Sequence, residues 1–99
     1  MEITKNYNEK ELTLNIEGRI DTITSQELDK EIQDEMGNFD SLTLDFSDVE
    51  YISSAGLRVL ISTQKKLKAD DIPFVITNVN DTIGEIFRMS GFDKILKIE

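Results

Sequence analysis

Residues 41–67 read SLTLDFSDVEYISSAGLRVLISTQKKL and contain both of the rhythms by which a chain hides apolar side chains. Leu42, Leu44 and Phe46 alternate with Thr43, Asp45 and Ser47, the period of two that puts one face of a strand on a core. From Leu57 the apolar positions recur at Leu57, Leu60, Ile61 and Leu67, the spacing of three to four that lines one side of a helix. On this reading the strand ends at Asp45 or Phe46, Tyr51 and Ile52 pack down as a short apolar pair, and Ser54 caps the helix by accepting from an amide two or three residues on. Strand, short connection and helix form one β-α unit, which commits the chain to an α/β fold.

The same rhythms continue on both sides. In ELTLNIE, residues 11–17, Leu12, Leu14 and Ile16 oppose Thr13, Asn15 and Glu17, so this is a half-buried strand, ended by Gly18. Residues 1–6, with Ile3, pair with it through a polar turn at residues 6–9, and the hairpin forms one edge of the sheet. Thr24-Ser25-Gln26-Glu27 fits a capping box and starts a helix that hides Leu28, Ile32 and Met36 and closes at Gly37-Asn38. Ile72, Phe74 and Ile76 define another strand, in which Pro73 lacks an amide donor and marks an edge or a strand start. A short helix from about Asp81 to Met89 turns Ile83, Ile86 and Phe87 inward, and Ile95, Leu96 and Ile98 suffice for a last strand over 94–98. Phe87, Met89 and Phe92 read as core rather than as an exposed patch. The order β-β-α-β-α-β-α-β requires right-handed crossovers and a mixed, mostly parallel sheet. Its strands alternate instead of running continuously apolar, which places the helices mainly on one face.

Composition excludes whole classes of chemistry. Ninety-nine residues make one domain, 1–99, without room for a second. The absence of Cys and His removes thiol nucleophiles, thiolate metal sites, disulfides and the commonest general base, so no metal and no cofactor is expected. Lys65, Lys66 and Lys68 lie too far down the second helix to activate Ser54, and no Gly-rich phosphate loop is present; the chain does not read as an enzyme. Twenty acidic against eleven basic residues give a net charge of −9, a field that repels nucleic acid and anionic lipid. The N-terminus lacks the basic start and apolar run of a signal peptide, and nothing approaches the ~20 apolar residues of a membrane span, so a cytoplasmic location is expected.

Around Ser54 two readings stay open. In one it is only a helix cap, and Ala55 and Gly56 only pack tightly. In the other the small residues let a partner approach closely, and a phosphate on Ser54, roughly −1.5 to −2 charges beside the first-turn amides, suits the fold but not that partner. Asp21, Asp45 and Asp48 are expected on the same rim of the sheet, either assisting a hydroxyl or repelling a phosphate, or serving as plain turn formers.

Three separated blocks carry a resemblance: Gly18-Arg19-Ile20-Asp21-Thr22 with Thr24; Leu44-Asp45-Phe46-Ser47, Val49 and Tyr51-Ile52-Ser53-Ser54-Ala55-Gly56-Leu57 with Val59-Leu60; and Ile86-Phe87, Ser90-Gly91-Phe92 and Ile95. In this order they resemble a STAS domain of the bacterial anti-sigma factor antagonist type. The resemblance implies a partner switch. The unphosphorylated protein binds an anti-sigma factor that is a serine kinase, which frees the sigma factor; phosphorylation of one serine ends the binding, and a metal-dependent serine phosphatase restores it. By motif position that serine is Ser54, with Ser53 a second acceptor, and the partner surface comprises Asp21, Thr22, Ser53, Ser54, Ala55, Gly56, Leu57 and Arg58. The best-known phosphorylated antagonists have Asp immediately before the serine where this chain has Ser53, a departure expected to alter kinase recognition or to leave Ser53 competing for the phosphate. STAS modules that are never phosphorylated also exist, so the resemblance leaves a constitutive scaffold as the alternative. A chain without fused segments fits the antagonist type.

Overall fold

Five strands and three helices follow one another as β1 (Glu2–Asn8), β2 (Glu11–Ile20), α1 (Thr24–Glu35), β3 (Ser41–Ile52), α2 (Ser54–Ala69), β4 (Phe74–Thr77), α3 (Asp81–Ser90) and β5 (Lys97–Ile98), with a 3-10 turn at Phe92–Lys94. The computed structural model describes residues 1–99. The strands hydrogen-bond in the order β1-β2-β3-β4-β5, the first pair antiparallel and the rest parallel. Leu12, Leu14 and Ile16, Leu42, Leu44 and Phe46, and Phe74 and Ile76 all join one core with Leu28 and Ile32 of α1, Leu60 and Leu67 of α2, and Ile83 and Phe87 of α3. A single core reached by every helix puts the helices on one face, as the alternation requires. Pro73 stands directly before β4, an interior strand, so it marks a strand start.

Both central strands run further than their alternation indicates. The buried positions of β3 are Leu42, Leu44, Phe46, Val49 and Ile52, a spacing of two that becomes three. The register shows why: Asn15 faces Asp45 but Glu17 faces Asp48, and Gly18 faces Val49 but Arg19 faces Tyr51. At each step β3 spends one residue more than β2, the signature of a bulge, and each bulge reverses the phase of the side chains. The strand therefore continues to Ile52 rather than ending at Asp45 or Phe46. Tyr51 does not pack down; it stays on the outer face with the Arg19 guanidinium 4.5 Å from its ring centroid. Gly18, at φ +107°, does not end β2, which continues to Ile20.

Other boundaries move for local reasons. The hairpin turns at Glu9 and Lys10, because Tyr7 and Lys5 are held in β1 by α1: Tyr7 Oη donates to Glu35 at 2.6 Å, and Lys5 pairs with Glu35 and Glu31. The capping box lies three residues earlier than Thr24 to Glu27. The Asp21 carboxylate accepts from the Ile23 and Thr24 amides, and the Thr24 hydroxyl accepts from the Asp21 amide at 2.8 Å. For α2 the cap is Ser53, whose hydroxyl accepts from the Gly56 amide at 3.2 Å, and Ser54 is the first helical residue. Met89 is 79% exposed and not core, since it lies two positions beyond inward-facing Phe87; Phe92 is partly buried, as expected.

Because β3 continues past it, Asp45 lies within the open face of the sheet and not at the rim. Its carboxylate accepts from Asn15 of β2 at 2.9 Å, from Asn78 just after β4 at 3.1 Å and from the Ser47 amide at 2.9 Å. Asn6 of β1 extends the chain by donating to Asn15. Asp48, facing Glu17, is likewise below the rim. Burial pushes the Asp45 carboxyl up, but the hydrogen bonds from Ser47, Asn78 and Asn15 outweigh it and hold the group below its ordinary value of 3.8.

Four stability measurements test this account. A Cβ on Gly56 would lie 2.7 Å from both Ile20 Cγ2 and Ile52 Cγ1, so Gly56→Ala should lose about 1–3 kcal/mol in urea unfolding, against its helix propensity. Gly84→Ala in α3, where the nearest atom is Val79 Cγ1 at 3.9 Å, should gain about 0.5–1 kcal/mol. The cap predicts a loss of about 0.5–2 kcal/mol for Ser53→Ala and a change within about 0.5 kcal/mol for Ser54→Ala. A carboxyl lowered by folding stabilises above its unfolded pKa, and that contribution disappears as pH falls through the folded value. Asp45→Asn should therefore be less stable than the unmodified chain at neutral pH and should lose less stability on acidification, read from urea midpoints across the acid range.

Candidate functional site

The site is built where the two central strands end side by side. Ile20 faces Ile52, and the Ser53 amide donates to the Ile20 carbonyl at 2.8 Å, so the last hydrogen bond between β2 and β3 is made by the residue that also caps α2. From this edge the chain leaves in two directions, through Asp21-Thr22-Ile23 into α1 and through Ser54 into α2. Open parallel sheets place their sites at this end of the strands.

Of the residues expected at the partner surface, Thr22, Ser54 and Arg58 are exposed, and Asp21, Ser53 and Ala55 are half-buried. Gly56 and Leu57 are not available to a partner. Gly56 is buried against Ile20 and Ile52, so the room left by its missing side chain is filled from within the chain, and Leu57 belongs to the core. Asp21 is the one acid of the three brought to this rim. Hydrogen bonds from the Thr24 amide and hydroxyl hold its carboxyl below 3.8, helped by the Ile23 amide and by Arg19 and opposed by burial, so the rim carries a fixed negative charge at neutral pH.

The two adjacent serines have different tasks. Ser53 spends its hydroxyl on the Gly56 amide and its carbonyl on the Leu57 amide at 3.0 Å. Ser54 makes no side-chain hydrogen bond and stands exposed at the head of a 16-residue helix, where the Ser54 and Ala55 amides have no partner within the helix. Lys65 and Lys66 are about three turns of helix further on, too far to activate the hydroxyl. It is placed where a group from outside the chain can reach it.

Two neighbours escaped the sequence reading. Ile23 is 73% exposed between the capping Asp21 and the body of α1, an apolar side chain presented to solvent beside the rim. Its only signal was an apolar residue within a polar turn. The Arg19–Tyr51 stack lies just below the rim on the open face, and only the bulge after Val49 brings the two into register.

The STAS domain profile matches residues 2–99. The anti-sigma-F factor antagonist RsfB of Mycobacterium tuberculosis is 29% identical over 86 residues, 86% of this chain and 70% of that protein. The anti-sigma-B factor antagonist of Bacillus subtilis is 26% identical over 91 residues, 92% of this chain and 84% of that protein. Among solved structures, unphosphorylated SpoIIAA, an anti-sigma factor antagonist, superposes with a TM-score of 0.83 at 14% identity, covering 99% of this chain and 88% of that one. The phosphorylated form of the same Bacillus protein superposes with a TM-score of 0.78, covering 99% and 91%. No helix here is long and apolar enough to cross a membrane. With a family match running from residue 2 to residue 99, over a sheet of this order and a helix seated on its rim, the chain belongs to the STAS domain family.

Proposed function

We propose that this chain is an anti-sigma factor antagonist that works by partner switching. In its unphosphorylated form it binds an anti-sigma factor that is also a serine kinase, and the sigma factor is released. The kinase moves the γ-phosphoryl group of ATP to Ser54 Oγ, ADP leaves, the hydroxyl proton passes to a base of the kinase, and the complex separates. A metal-dependent serine phosphatase returns the hydroxyl. The chain is a single STAS domain acting in the cytoplasm; it binds no nucleic acid, membrane or cofactor and catalyses nothing itself.

The observation that carries this reading is the division of labour between the serines. Ser53 holds the helix start, so the Ser54 hydroxyl is free to change without cost to the cap. The same division makes Ser54 the acceptor and Ser53, whose hydroxyl is engaged, the poorer one. Ser53 also explains how the chain departs from the family's Asp without losing its helix start, because Ser and Asp are comparable caps. The contact surface then comprises Asp21, Thr22, Ser53, Ser54, Ala55 and Arg58, with Gly56 and Leu57 supporting it from beneath.

A negative charge set into a closely packed interface costs about 2–5 kcal/mol, at least roughly thirtyfold in affinity. Pull-down from the source cells, with mass spectrometry and with circular dichroism to check folding, should recover a small ATPase-fold serine kinase on the unmodified chain and on Ser54→Ala but not on Ser54→Asp. The recovered kinase with ATP should label the unmodified chain and not Ser54→Ala. Equal recovery on all three would make the chain a constitutive scaffold and sink the switch.

A further inference from the structure

In a chain of net charge −9, the outer side of α2 carries a cationic strip. Arg58, Lys65 and Lys66 line a groove of about 390 Å³ with Ile61, Ser62 and Phe92. Arg58 follows Ser54 by four residues, the separation that sets two side chains on the same side of a helix with Cβ atoms about 5–6 Å apart. Both are exposed, and Arg58 has no carboxylate partner: the ion pairs of the molecule join Lys5 to Glu31 and Glu35, Lys30 to Asp34, and Arg88 to Glu85.

The other surroundings of Ser54 favour this direction. The Gly56 amide is already taken by Ser53, and across the rim the ionised Asp21 carboxylate repels a second anion. A phosphate on Ser54 Oγ that turns from Asp21 lies over the first turn of α2, and the first cation along that helix is Arg58. Arginine suits the task better than lysine, since its planar fork donates two parallel hydrogen bonds to one phosphate.

We propose, on the reading that Ser54 is the phosphorylated residue, that Arg58 clasps the phosphoserine within α2 and is withdrawn from the cationic groove by the same contact. One modification then changes two parts of the surface. The rim gains negative charge, and the groove falls from three free cations to two, so a partner carboxylate that pairs with Arg58 loses its counter-ion. Arg58 is a positioning residue for the phosphate.

Phosphoserine placed at position 54 by genetic-code expansion tests this without any kinase. The probe is the phosphate itself, titrated by 31P NMR through its second ionisation near pH ~6. A nearby guanidinium favours the dianion, so the midpoint in the phosphoprotein should lie about half a pH unit below that of its Arg58→Gln variant. Arg58→Lys should recover part of the difference, and Lys65→Gln, further down the helix, should leave the midpoint unchanged. Identical midpoints with and without Arg58 would overturn the clasp; circular dichroism checks that the variants, all at exposed positions, remain folded. The partner-switch reading fails separately, if the phosphoprotein binds the anti-sigma kinase as tightly as the unmodified chain does.

Discussion

Gly56 rests where even a methyl group would come within 2.7 Å of Ile20 and Ile52, so the first turn of α2 lies directly on the last residues of the two central strands. Everything at the rim follows from that seat. It fixes the height at which α2 begins, and with it the residue that must cap the helix. It lets the Ser53 amide close the β2–β3 ladder at Ile20 while the Ser53 hydroxyl turns back to Gly56. Ser54, next in line, is then carried outward with nothing left to hold. Ile20 and Ile52 are themselves almost completely buried, so the seat cannot relax without disturbing the core.

How far such a site can be read from sequence depends on whether the side-chain period survives. It does over residues 42–46 and again from Leu57, and there strand, helix and core residues were legible. It fails between Ser47 and Tyr51, where two bulges reverse the phase twice, and an interrupted alternation looks like the end of a strand. Several later differences descend from that one. An alternation that stops at Phe46 puts Asp45 at the rim, and a cap on Ser54 leaves Ser53 in the connection; with β3 running to Ile52, Asp45 moves onto the open face and the cap moves to Ser53. With two serines side by side, composition could not decide which was the cap; the pairing of Ile52 with Ile20 decides it. Asp21 was legible as a rim acid, whereas its role as the cap of α1 required seeing its carboxylate against the Ile23 and Thr24 amides.

The open face and the edge are specified by polar pairing where the core has no part. Asn6, Asn15, Asp45 and Asn78 link β1, β2, β3 and the residue after β4 by side-chain hydrogen bonds on the face that no helix covers. On the other side of the sheet, Lys5 and Tyr7 tie the exposed edge strand to Glu31 and Glu35 of α1. An edge strand pinned by charged groups is a poor template for pairing with another chain.

A phosphate on Ser54 meets this frame on favourable terms. The positive end of α2 stabilises an anion by about 0.3–1 kcal/mol, and the cap on which the helix depends belongs to the neighbouring serine. The modified side chain is exposed and unbonded, so no internal hydrogen bond is given up. On the proposed reading the phosphate acts through surface charge, adding an anion at the rim that already carries Asp21 and engaging Arg58 one turn along α2. A helix seated at Gly56 on two buried strand ends cannot make room for that charge by shifting, so on the same reading what Arg58 does not neutralise falls on the partner fitted to the unmodified rim.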